Sequence, residues 1–158
     1  MVMNLSIATR LVTHERGLLS FEIPDSWVEE TEPDGRRIYF YPSEESGTLR
    51  VHVLTFQAPN GKGMKTPAEY IALTEKADRR SIRTLPNGLA LGESISRTLE
   101  DGEKITLYWW YLSEVTEPSL SRIAMFSYTV PTSVENSPEV LGEVDFLSRS
   151  IEKAKFGH

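Results

Sequence analysis

Leu107-Tyr108-Trp109-Trp110-Tyr111-Leu112 is a run of six large side chains, none of them charged. Residues of this kind favour a pleated strand. Along a strand, side chains alternate between faces. That sends Leu107, Trp109 and Tyr111 one way and Tyr108, Trp110 and Leu112 the other. An antiparallel strand with one wet face alternates with polar residues, and this one does not. Both faces therefore need cover, from core elements or from a ligand or partner. Trp and Tyr suit either role, because each joins an apolar body to a polar tip.

Outward from this strand, Lys104 to Leu112 is preceded by Leu89 to Leu99 and followed by Arg122 to Val130, both strand-like. Glu100-Asp101-Gly102 joins the first two as a tight hairpin signal, with Gly supplying the positive φ. Upstream, Leu5, Ile7 and Leu11 suggest a ragged first strand, and Leu19, Phe21 and Ile23 alternate up to Pro24-Asp25. Arg37 to Tyr41 and Thr48 to Phe56 are expected to be the arms of a further hairpin. Glu29 to Arg36 reads as a polar connection with a Pro33-Asp34-Gly35 turn.

Thr66, Pro67 and Glu69 form a capping box. The helix behind it is expected to reach about Ser81, with Tyr70, Ile71, Thr74 and Ala77 facing inward. A second helix opens with Ser137 and Pro138 and carries Val140, Val144, Leu147 and Ile151 on one face. The expected fold is a single α+β domain over residues 1–158. Its mainly antiparallel β-sheet is flanked by two helices, one per face, as a helix–sheet–helix sandwich.

With 39% hydrophobic and 25% charged residues, the 158-residue chain has the balance of a folded globular protein. Its net charge of -6 repels phosphate backbones, and Arg36-Arg37 and Arg79-Arg80 are isolated pairs beside acidic residues. Nucleic acid is therefore not an expected partner. The absence of cysteine excludes disulfides, thiolate metal sites and thiol nucleophiles together. Met1 to Arg16, interrupted by Asn4, Ser6, Thr9 and Arg10, resembles neither a signal peptide nor a membrane span, so the expected location is cytoplasmic.

Catalytic chemistry finds little support. His14, His52 and His158 lack paired metal-ligand spacing, and no serine sits in a Gly-x-Ser-x-Gly turn. Asn60 to Thr66 leads into a helix start with two glycines and two lysines, which suits a flexible basic loop or a weak anion contact. It lacks P-loop spacing, however, and Pro67 removes one amide. Glu29-Glu30 and Glu44-Glu45 read as solvated loop charges. The expectation is a non-enzyme with no catalytic residues, no metal and no cofactor.

Gly17 to Trp27 contains Phe21-Glu22-Ile23-Pro24-Asp25-Ser26-Trp27. It resembles the opening strand of the PsbP/Mog-like superfamily, of the form F-x-I/L-P-x-x-W, and the later order of strands and helices agrees. The resemblance implies a sheet-and-helix sandwich and a mostly non-enzymatic role. Relatives in that superfamily include photosystem extrinsic subunits, a binder of the Ran GTPase, DcrB-like bacterial proteins and Eag-type chaperones. The missing signal sequence points towards the bacterial chaperone-like or stand-alone types.

The leading expectation is thus a protein-binding module, adaptor or chaperone-like, with another protein as partner and room for a homodimer. Its binding residues are expected among Tyr39, Tyr41, Arg50, His52, Trp109, Trp110 and Tyr111. The alternative is a small-molecule binder or hydrolase, with a sheet–helix pocket floored by the same aromatics and rimmed by Arg50 and His52.

Overall fold

The structure is a computed structural model that describes residues 8–44, 46–58, 64–74, 78–116 and 120–157. In chain order the strands and helices are β1 (Thr9–His14), β2 (Leu19–Pro24), β3 (Val28–Thr31), β4 (Arg37–Phe40), β5 (Thr48–Gln57), α1 (Pro67–Ala72), β6 (Arg83–Thr84), β7 (Ala90–Glu100), β8 (Glu103–Thr116), β9 (Leu120–Pro131), α2 (Pro138–Glu152) and β10 (Lys155–Phe156). They build a seven-stranded sheet, β3-β4-β5-β9-β8-β7-β6, and a three-stranded sheet, β1-β2-β10. Every pairing is antiparallel.

β8 is flanked on both sides by long strands, opposite β7 from Glu103 to Ser113 and β9 from Ile105 to Thr116. The tight β7–β8 turn holds Asp101 and Gly102 at positive φ, as the Asp-Gly signal requires. Trp110 and Leu112 belong to the main core with Ala124, Phe126 and Tyr128 of β9, Leu49, Val51 and Val53 of β5, and Val140, Leu147 and Ile151 of α2. The small sheet adds Val12, Leu19, Phe21, Ile23 and Phe156 to the same core. Here the N-terminal motif has its structural use. The Phe21 ring stands edge-on to Phe126 at 5.4 Å and to Tyr39 at 5.5 Å, and Trp27 stacks on Tyr128 at 5.8 Å.

The opposite face carries a smaller cluster, in which Ile71 of α1 packs with Ala90 and Tyr111. Gly92 makes that docking possible, because a Cβ there would lie 2.8 Å from Ile71 Cγ2. The layering therefore departs from two long helices, one per face. α1 is six residues long and covers part of one face, while the small sheet shares the other with α2. The Thr66–Glu69 capping box forms, yet Leu73 ends the helix with its own side chain exposed. A single 3-10 turn at Arg79–Ser81 follows, capped by Asp78. Residues 75–77, including Ala77, lie outside the described residues, as do Leu5, Ile7, Glu45, residues 60–63 of the basic loop and His158.

β3, β6 and β10 are strands where no strand was expected. Glu29 and Glu30 lie in β3 rather than in a loop, with Glu29 paired to Tyr39 across the ladder. Charged residues on a short edge strand mask the β pattern, and the same charges protect the edge. β10 returns after α2 and is clasped to the body. The Gly157 amide donates to the Leu18 carbonyl at 2.9 Å, and Arg122 donates to the Gly157 carbonyl at 2.5 Å. Arg122 also pairs with the largely buried Glu114 at 3.2 Å.

Candidate functional site

The face of the large sheet that α1 covers in part is organised in rows across the strands. One row runs Arg50, Ser127, Trp109, Ser94 through β5, β9, β8 and β7. The next runs His52, Met125, Tyr111, Gly92. Ser127 is small and stands between two long side chains, so the surface dips there. The result is a groove of about 430 Å³, floored by Leu107, Trp109, Met125 and Ser127.

The groove's far wall is the tip of the β3–β4 hairpin. Glu32 accepts from Arg50 Nε at 3.2 Å, which ties that tip to β5. The turn closes with the Glu32 amide donating to the Arg36 carbonyl at 2.7 Å, and Gly35 takes φ +89. Arg36 and Asp34 pair at 3.3 Å, and Arg37 and Glu29 at 2.8 Å. Trp109 is half-buried. It stacks on Tyr111 with ring centroids 6.1 Å apart, and its indole N–H donates to Ser96 Oγ at 3.1 Å. One aromatic edge is thus fixed in place on the floor rather than free to rotate.

Of the expected binding residues, the structure brings Arg50, His52 and Trp109 together around this groove. Tyr39, Trp110 and Tyr111 are corrections. They are 0%, 2% and 1% exposed, and their side chains offer no surface to a partner. Strand parity explains Trp110, which points into the main core beside Phe126. Tyr111 has the parity of the groove but lies under α1. Tyr39 faces the small sheet, where its hydroxyl lies 3.2 Å from His14 Nδ1. Burial raises the Tyr39 phenol to about 12 and lowers the His14 imidazole below its usual value, so the pair is neutral near pH 7. Tyr41 is exposed but stands past the end of β4, outside the groove.

Sequence reasoning missed Glu32, Asp34, Arg36, Arg37, Met125 and Ser127 as lining residues. The alternation Ala124, Phe126, Tyr128 against Met125, Ser127, Thr129 separates the faces of β9 and would have found two of them. Among the described residues, no group of three or more His, Cys, Asp or Glu is placed to hold a metal ion. No helix among them is long and apolar enough to cross a membrane.

No protein-family model matches the chain, and no curated protein matches it in sequence. Solved structures do match it in shape. LpqN of Mycobacterium tuberculosis, described as involved in cell envelope biogenesis, superposes with a TM-score of 0.62 at 11% identity, over 98% of this chain and 94% of its own. The Ran-binding protein Mog1p of Saccharomyces cerevisiae gives 0.58 at 13% identity, over 96% of each chain. The fold is PsbP/Mog-like. A Bacteroides thetaiotaomicron protein gives 0.56 at 18% identity over 90% of this chain, which spans only 46% of that longer one. At such identities the PsbP/Mog-like likeness concerns the frame alone, and site residues do not transfer with it.

Proposed function

We propose that this chain is a non-enzymatic protein-binding module, adaptor or chaperone-like, working in the cytoplasm. The partner docks on the open sheet face through Trp109, Arg50 and His52. The observation that carries this reading is the pinned, half-buried Trp109 on a partly covered sheet face, beside two basic side chains. Leu54 and Phe56 lie on the same side of β5 and are 37% and 42% exposed, the Phe56 ring stacked on Tyr70 of α1 at 5.8 Å. An aromatic anchor in a depression with a polar rim is the usual composition of a binding hot spot. The Ran-binding description of Mog1p adds support by analogy.

A second reading, a small-molecule site, draws on the groove volume, which falls within the range of ligand pockets. The groove's open shape and salt-bridged wall suit a protein surface better. The test is capture with the immobilised chain from cells that make it, in parallel with Trp109→Ala whose fold is verified by near-UV circular dichroism. A stoichiometric partner held by the first and lost by the second supports the reading. Equal recovery by both, or no partner with either, sinks it.

A further inference from the structure

The free side of β5 is a long unpaired strand edge that carries neither charge nor proline. β5 pairs with β9 along its whole length, from Thr48 to Gln57. On its other side β4 pairs only at Leu49 and Arg50. Among the described residues nothing pairs with the far side of Val51-His52-Val53-Leu54-Thr55-Phe56-Gln57. Exposed strand edges in folded proteins are normally blunted by shortness, charge or proline. β3 is short and carries Glu29 and Glu30, β6 and β10 are two residues each, and β1 carries Arg10. Residues 51–57 have neither Lys, Arg, Asp, Glu nor Pro, and His52, Leu54, Thr55, Phe56 and Gln57 are solvent-facing.

The edge ends in a slot lined by arginines. Where β4 parts from β5, a cavity of about 380 Å³ opens, bounded by Val51 and His52 on one side and by Arg36 and Arg37 on the other. Arg16 also lines it, so three guanidinium groups converge there, Arg36 paired with Asp34 at 3.3 Å and Arg37 with Glu29 at 2.8 Å, and an incoming carboxylate competes with those exposed pairs. A strand added antiparallel to β5 runs in the direction of β4. It enters opposite Gln57, and its carboxyl end arrives opposite Val53 to Val51, facing Arg37. It cannot continue, because β4 already occupies the next positions on β5. A chain that stops there fits better than one that must turn away.

We propose that β5 takes up the free C-terminal segment of a partner protein as an added antiparallel strand, with its terminal carboxylate in the Arg36–Arg37 slot. The inference rests on the protein-binding reading and adds how the partner's chain is held. Main-chain hydrogen bonds along the edge supply affinity, and alternate side chains reach the Leu54–Phe56 face. The arginines read the carboxylate.

The test uses a pool of randomised heptapeptides with free C-terminal carboxylates and the same pool amidated, screened against the full chain. Selected carboxylate peptides are expected to bind at least tenfold tighter than their amides and to slow hydrogen exchange at residues 51–57. Arg37→Glu is expected to weaken them at least tenfold. Because neighbouring strand amides point to opposite sides, one of Leu54→Pro and Thr55→Pro should abolish binding while the fold survives. Binding indifferent to the carboxylate, or protection elsewhere, overturns the proposal. So does equal protection of 51–57 in the free chain, whether a second copy or the chain's own N-terminal segment holds the edge. A partner whose capture depends on Trp109 but not on Arg37 overturns this inference and leaves the protein-binding reading standing.

Discussion

The Tyr39 hydroxyl and the His14 imidazole share a 3.2 Å hydrogen bond in the seam between the two sheets. Burial is the largest influence on both, raising the phenol and lowering the imidazole. A histidine whose folded value is lowered stabilises the protein fully above the unfolded value of 6.5, and loses that contribution as pH falls below it. Urea midpoints are therefore expected to drop between pH 7.5 and pH 5.5, and His14→Phe should flatten that part of the profile. Tyr39→Phe, which strips the imidazole nitrogen of its partner, is expected to cost about 1 kcal/mol at pH 7.5. An unchanged pH profile in His14→Phe would show that other groups govern it.

Trp109 and Trp110 are adjacent in sequence and opposite in role. Trp110→Ala empties a fully enclosed core position and should cost about 3–5 kcal/mol. Trp109→Ala removes a half-buried ring and should cost about 1–2 kcal/mol. Chemical denaturation of both variants decides this, and equal losses would contradict the assigned faces.

Gly92→Val places a side chain where Ile71 sits, 2.8 Å from the position of the new Cβ. The expected result is a global loss of about 1–3 kcal/mol, with α1 displaced first. Hydrogen exchange that accelerates in residues 67–72 before the rest of the chain confirms it.

Arg122→Ala leaves the Glu114 carboxylate buried without that guanidinium and frees the Gly157 carbonyl. Breaking one side of a buried pair should cost about 3–5 kcal/mol. Limited proteolysis near Lys155 should rise in parallel, since the same arginine clasps the C-terminal strand.

Much of the frame was legible in residues with local physical meaning. Asp101-Gly102 dictated a hairpin because a tight turn needs positive φ, and Thr66-Pro67 and Ser137-Pro138 marked helix starts because orphan amides there need acceptors. β3 and β10 were not legible. A charged four-residue edge and a two-residue strand carry too little periodic signal, and pairing with strands already formed creates them. The helix at Thr66 was overextended, because a good cap says where a helix begins and nothing about how many turns the sheet will bury.

The aromatic strand marks the division. Its sequence alone determined that both faces of β8 need cover, because unbroken apolarity leaves no wet side. Only the tertiary structure decided that Trp110 is core and Trp109 stands on a groove floor. Strand parity separates two adjacent residues without naming the inner face. That choice depends on partners distant in the chain, with α2 and the small sheet on one side and a short α1 over Gly92 on the other. The groove itself arises from Ser127 lying between Arg50 and Trp109, a register that exists only once β5, β9 and β8 have paired.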